Sequence, residues 1–171
     1  VFYGDSILIV KKSGATGNNE VVLTSVSQSS LDYSYNRNID DIPGVEQRYP
    51  EIVNNGDSIF IVWEDNRSGV QNCYLSYSTN GVSDISDGFS FTDSTNSGPK
   101  FLPHLAFNNG KLHLVYIDNL QSSIKYVKGY LTNPTYIDQY KFEKNNNINF
   151  DFLGRNNNNS ILKFILENKK Y

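Results

Sequence analysis

The segment Pro50–Asn66, PEIVNNGDSIFIVWEDN, and the segment Pro103–Asn119, PHLAFNNGKLHLVYIDN, are two copies of one pattern set 53 residues apart. Each runs from a proline through an apolar stretch to an Asn- and Gly-rich turn. A second alternating stretch follows, ending in an aromatic residue and then Asp-Asn. Self-similarity at a fixed spacing is the signature of stacked repeats, so it limits the fold more than any single motif does. The pattern recurs at the N-terminus, where GDSILIV (Gly4–Val10) matches GDSIFIV (Gly56–Val62) 52 residues later. It recurs more loosely in NNNNSILKFILEN (Asn156–Asn168), with Ser160 and Ile161 set 102 residues from Ser58 and Ile59. The units fall at about 1–44, 45–97, 98–147 and 148–171, the first and last incomplete.

Every unit reads as β structure. SIFIVWE and KLHLVYI alternate with period two and are rich in β-branched and aromatic residues, and Asn-Gly pairs are a strong hairpin signal. NCYLSYS and SIKYVKGYL follow as third strands. FSFT (Phe89–Thr92) and QYKFE (Gln139–Glu143) suit short fourth strands. No amphipathic helix is apparent. Four-stranded antiparallel units at this spacing are what β-propeller blades look like in sequence, which makes this an all-β chain of about three and a third blades. A ring closes with roughly four to eight blades. Further blades in a longer chain, neighbouring chains, or an open β array are the ways to complete it. The sequence contains no methionine, and the expectation is a piece of a longer protein. Asn-rich tracts such as NNNIN and NNNNS fall at the expected blade connections.

Composition removes several classes of function. With 38% hydrophobic and 13% aromatic residues the chain can bury a core. Its formal net charge is -3 and no Lys/Arg cluster exceeds a pair, so there is no basic face for nucleic acid. No apolar run is long enough for a membrane-spanning helix. Cys73, the single cysteine, excludes an internal disulfide and has nothing nearby to activate it. His104 and His113 lack the cysteines or spaced carboxylates of a zinc site, and no phosphate loop or nucleophile elbow is present. Neither a metal nor a cofactor is expected.

The stretch RYPEIVNNGDSIFIVWEDNRSG resembles the sialidase-like (BNR/Asp-box) β-propeller superfamily. Blades there often carry an Arg-x-Pro entry, a Gly-initiated apolar strand and an acid-rich turn containing Arg. SYSTNG (Ser76–Gly81) with the following FSFT resembles a degenerate Asp-box turn. The likeness is good over residues 45–92, fair over 99–143 and faint elsewhere. It implies that Arg48 and Arg67, nineteen residues apart, match two arginines of the carboxylate-gripping triad of catalytic sialidases. A planar guanidinium suits that task because it binds a carboxylate bidentately and keeps its charge. The resemblance also argues against catalysis. The family's acid lies five or six residues beyond the second arginine, where this chain has Asn72 and Cys73, and an amide cannot shuttle a proton as a carboxylic acid does.

Each candidate has a plainer reading. Arg48 and Arg67 can lace neighbouring turns through carboxylates. Asp65 and Asp118 hold equivalent places in two units, each before Asn, and a turn-forming Asp is needed in every unit whereas a catalytic one is needed once. Trp63, at the place of Tyr116, either caps the core or offers a face for a sugar ring. Tyr74, Tyr77, Tyr126 and Tyr130 are expected to pack between blades. The sequence therefore points to a non-catalytic glycan- or protein-binding or scaffolding module, secreted or at a cell or particle surface. Its ligand-binding candidates are Arg48, Arg67, Trp63 and Asp65. The rivals are a fragment of an exo-sialidase or other glycoside hydrolase, and a self-assembling protein of a fibre or envelope.

Overall fold

The computed structural model describes residues 1–15, 18–92, 98–132, 149–151 and 161–166. They form three antiparallel sheets. The first contains β1 (Phe2–Tyr3), β2 (Ser6–Ala15), β3 (Asn18–Ser27) and β4 (Tyr33–Ile39), paired in chain order. The second contains β5 (Gln47–Asn55), β6 (Ser58–Asp65), β7 (Asn72–Ser78) and β8 (Phe89–Ser90), again in order. The third runs β9 (Lys100–Asn108), β10 (Lys111–Asp118) and β11 (Ser123–Thr132), then β13 (Ile161–Leu166) and β12 (Asn149–Asp151). Among the described residues the helical content is one 3-10 turn at Val82–Asp84. The fold is all-β, as the alternation predicts, and no described sheet closes on itself.

The expected strands SIFIVWE, KLHLVYI, NCYLSYS and SIKYVKGYL fall on β6, β10, β7 and β11. FSFT contributes only the two-residue β8, and QYKFE lies outside the described residues. Two-residue turns close the first hairpin of each sheet, at Gly4–Asp5, Gly56–Asp57 and Asn109–Gly110. Positive φ angles of 52°, 57°, 49° and 71° at Gly4, Gly56, Asn109 and Gly110 explain the Asn/Gly composition there.

Period-two alternation distributes β6 between two cores. Ile59, Ile61 and Trp63 face the first sheet and pack with Leu8, Val21, Leu23 and Ile39. Phe60 and Val62 face the third sheet and pack with Leu112, Leu114 and Tyr116. The middle sheet is thus sandwiched, with β6 and β7 buried on both faces. In β10 only every second residue is fully buried. Sequence periodicity cannot separate a two-sided strand from a one-sided one when, as in β6, both sets are apolar.

Residues at equivalent places in successive repeats meet across the sheet boundaries. Asn54 Nδ2 donates to the carbonyl of Phe2 at 2.8 Å, and His104 Nδ1 lies 2.5 Å from Glu51 Oε1. Both contacts join first strands, so β1, β5 and β9 lie side by side. The last two share a further device. Tyr49 and Leu102, each just before a proline, have φ of 48°, and the pairing register slips there, between Arg48 and Glu51 and between Phe101 and His104. These are β-bulges at matching positions.

Candidate functional site

Arg67 leaves the end of β6 two residues after Asp65, whose Oδ1 accepts the Arg67 backbone N–H at 2.8 Å. Asp118 accepts the Gln121 N–H at 3.2 Å in the corresponding turn of the third sheet. Both aspartates are buried and both organise turns. The Asp65 carboxylate also binds the Arg67 guanidinium through Nε, at 2.7 Å, and through Nη2, and it accepts Trp63 Nε1 at 3.3 Å. Arg67 Nη1 reaches Asp40 at the end of the first sheet, and the same Asp40 Oδ2 accepts the Gly88 N–H at 3.0 Å. The guanidinium lies over the Tyr74 ring, 4.1 Å from its centre.

Arg67 is therefore a rivet between two sheets. Burial opposes its charge, but hydrogen bonds to Asp65 and Asp40 outweigh that and hold its pKa above the ordinary value. Gly88 is needed for space. A Cβ there would lie 2.4 Å from Asp40 Oδ2 and 2.5 Å from two atoms of the Trp63 ring. Trp63 is 0% exposed and stacks on Tyr74 with ring centres 6.2 Å apart, so it is a core residue with no face for a sugar.

Arg48 is placed differently. Its side chain is 41% exposed and pairs with Glu46 at 2.6 Å, which lowers the Glu46 pKa. Buried Arg48 Nε has no hydrogen-bond partner among the described residues. Beside Arg48 stands Tyr49, 58% exposed on its bulge. Opposite Arg48 in the ladder is Glu64, buried and facing the third sheet, where it accepts the Leu102 N–H at 2.6 Å. Burial raises the Glu64 pKa, against the lowering effect of that N–H and of Arg48. Among the described residues Arg48 and Arg67 share no carboxylate partner, and the Arg48 side chain is the more exposed of the two, 41% against 17%.

Asn72 Oδ1 accepts the Cys73 N–H at 3.0 Å and a hydrogen bond from Thr92. Cys73 is buried, and burial followed by the Glu64 charge pushes its thiol pKa well up. Neither can cycle a proton near neutrality. Among the described residues no three His, Cys, Asp or Glu side chains gather as metal ligands, and no helix is long and apolar enough to cross a membrane. Tyr77 lies in the core between the second and third sheets and Tyr74 in that between the first and second. Tyr126 instead stacks on His113, their ring centres 6.0 Å apart. The Tyr130 side chain lies outside the described residues.

The sequence offers no sign of Asp40 or Gly88. Both belong to connections without a periodic counterpart, and they reach Arg67 from 27 and 21 residues away. Glu64 is more accessible to reasoning, since a charged residue inside an apolar alternation must find a partner when buried. No protein-family model, curated protein or solved structure matches this chain.

Proposed function

We propose that the three sheets are successive blades of a sialidase-like β-propeller and that the chain is a non-catalytic binding and scaffolding module, working outside a cell or on a surface. The observation that carries the non-catalytic reading is the state of Arg67. Its guanidinium is occupied by Asp65 and Asp40 and packed over Tyr74, which leaves it no free edge with which to grip a ligand carboxylate. Asn72 and Cys73 at the acid position support the same reading. Contact between equivalent residues of β1, β5 and β9 supports the blade reading, because first strands of a propeller converge beside its axis.

Ligand contact then rests with the partly open end of β5. Arg48 supplies charge there and Tyr49 an exposed aromatic face, a pairing suited to an acidic glycan or an acidic protein segment. The test is binding to a broad glycan panel by the protein and by Arg48→Ala and Tyr49→Ala, with a fluorogenic sialoside hydrolysis assay alongside. Binding that either substitution weakens, without turnover, is the expected result. Affinity for no glycan together with indifference to Arg48→Ala removes the glycan version. Sialoside hydrolysis overturns the non-catalytic reading.

A further inference from the structure

The turn that carries the Arg67 rivet presents two side chains that the rivet does not use. Asn66 and Ser68 flank Arg67 and are exposed, while Arg67 itself turns inward to Asp65 and Asp40. The Asn66 carbonyl accepts the Gly69 N–H at 2.9 Å, and the Asn66 Oδ1 accepts the Glu46 N–H, also at 2.9 Å. Glu46 supplies a donor there, so the amide can take only one orientation, with its nitrogen turned away. Among the described residues Asn66 Nδ2 has no partner. The third sheet supplies a comparison. Asn119 stands at the place of Asn66, and its carbonyl likewise accepts the N–H three residues on, from Ser122 at 3.3 Å. At the place of Ser68 that turn has Gln121, whose N–H goes to Asp118 at 3.2 Å. The fold therefore accounts for an asparagine in both turns but calls for no hydroxyl two residues after it. Ser68 Oγ makes an exposed bond to the Val70 carbonyl at 3.2 Å.

We infer that Asn66 is a glycan acceptor. Asn66-Arg67-Ser68 is the Asn-x-Ser pattern, with x other than proline, that enzymes read when they transfer oligosaccharides to an amide nitrogen. In that transfer Nδ2 bonds to C1 of a polyprenyl-phosphate-linked oligosaccharide, and the bond from C1 to the phosphate oxygen breaks. The lipid phosphate leaves with the electron pair, and the amide gives up one proton. The product keeps its carbonyl and one N–H, so Oδ1 still accepts from Glu46 and the turn closes as before. The sugar then projects to solvent beside the end of β5, because Glu46, which donates to Asn66, is also the ion-pair partner of Arg48. The other such pattern, Asn158-Asn159-Ser160, lies outside the described residues. The inference rests on the placement outside a cell proposed above, since this modification belongs to surface turns of exported chains.

The test expresses the full chain behind a cleavable secretion signal in eukaryotic cells and maps its glycopeptides by mass spectrometry. Amidase release in heavy-oxygen water converts a modified asparagine to an aspartate that carries one heavy oxygen, which marks the residue. Asn66 should be marked, and Ser68→Ala should abolish the mark. Ser68 is exposed, so that variant keeps its fold, which Trp63 fluorescence verifies. Asn119 should be unmarked in the unaltered chain, and Gln121→Ser, which completes the same pattern in the sister turn, should mark it. An unmarked Asn66 in the secreted protein, or a mark that survives Ser68→Ala, would overturn the site. Recovery of the native protein from the cell interior would instead overturn the placement on which the site rests. Ligand binding at Arg48 and Tyr49 is scored by the glycan panel and stands or falls separately.

Discussion

Replacing Arg67 with methionine separates a rivet from a ligand contact. Methionine keeps much of the packing against Tyr74 and removes the charge. It leaves Asp65, 0% exposed, and Asp40, 10% exposed, without their cation. Removing one partner of a buried ion pair costs about 3–5 kcal/mol. Loss of the stacked guanidinium adds about 1 kcal/mol. Asp65 keeps two donors, the Arg67 N–H and Trp63 Nε1, which offset part of the loss, and about 3–4 kcal/mol is expected. Set against a total stability of about 5–15 kcal/mol, that is a large fraction. The assay is urea unfolding followed by the single tryptophan, which sits beside the cluster and reports its loss. The midpoint should fall without a change in slope. Adding Asp65→Asn should recover part of the loss, since the buried charge is then gone. A cost below about 1 kcal/mol would refute the rivet and return Arg67 to the pool of ligand contacts.

Gly88→Ala should destabilise by about 1–3 kcal/mol through overpacking against Trp63 and Asp40, measured by the same unfolding curve, with near-neutrality refuting the close approach. Phe60→Ala should cost about 3–5 kcal/mol in thermal or urea melts, because the ring is buried and stacks on Phe107 at 5.3 Å. Glu64 has a folded pKa raised chiefly by burial, so its contribution to folding is most favourable below the unfolded value and is lost as pH rises through the folded one. Glu64→Gln, which keeps an acceptor for the Leu102 N–H, should therefore raise the melting temperature at about pH 7 and change it little at about pH 3. Equal effects at both pH values would contradict that sign.

Local chemistry carried most of the architecture into the sequence. Alternation placed β6, β7, β10 and β11, and the Asn-Gly pairs marked the turns before β6 and β10. The repeat also identified Asp65 as a turn residue, since Asp118 performs the same task. β3 and β4 were less legible because their sequences, NNEVVLTSVS and YSYNRNI, mix polar and apolar residues without the repeat's markers. Candidate contacts were legible as residue types but not as partners. WEDNRSG announces an acid and an arginine, yet whether Arg67 is spent or free depends on Asp40 from another sheet and on the room left by Gly88. Such long-range closures leave no local trace.

The repeated bulge shows how strain and stitching are coupled. A non-glycine residue in the left-handed region costs on the order of 1–3 kcal/mol, and a following proline disfavours many alternatives, so two such residues at matching positions need a return. In the third sheet the return is visible: the bulge turns the Leu102 N–H out of its own ladder and towards Glu64 of the second sheet at 2.6 Å. The second sheet repeats the bulge at Tyr49, but the first-sheet residue at Glu64's place is Lys12, which has no lone pair to offer. Glu46 and Gln47 make the junction instead. Glu46 accepts Asn19 Nδ2 at 3.0 Å, and Gln47 accepts the Val21 N–H at 2.7 Å while donating to the Asp40 carbonyl at 2.9 Å. The bulge is thus repeated, but its N–H is used across only the second-to-third-sheet junction, while side chains just before it stitch the other. At both junctions the bulge leaves its side chain exposed, Tyr49 to 58% and Leu102 to 41%, so engaging the bulge N–H and presenting the bulge side chain are independent.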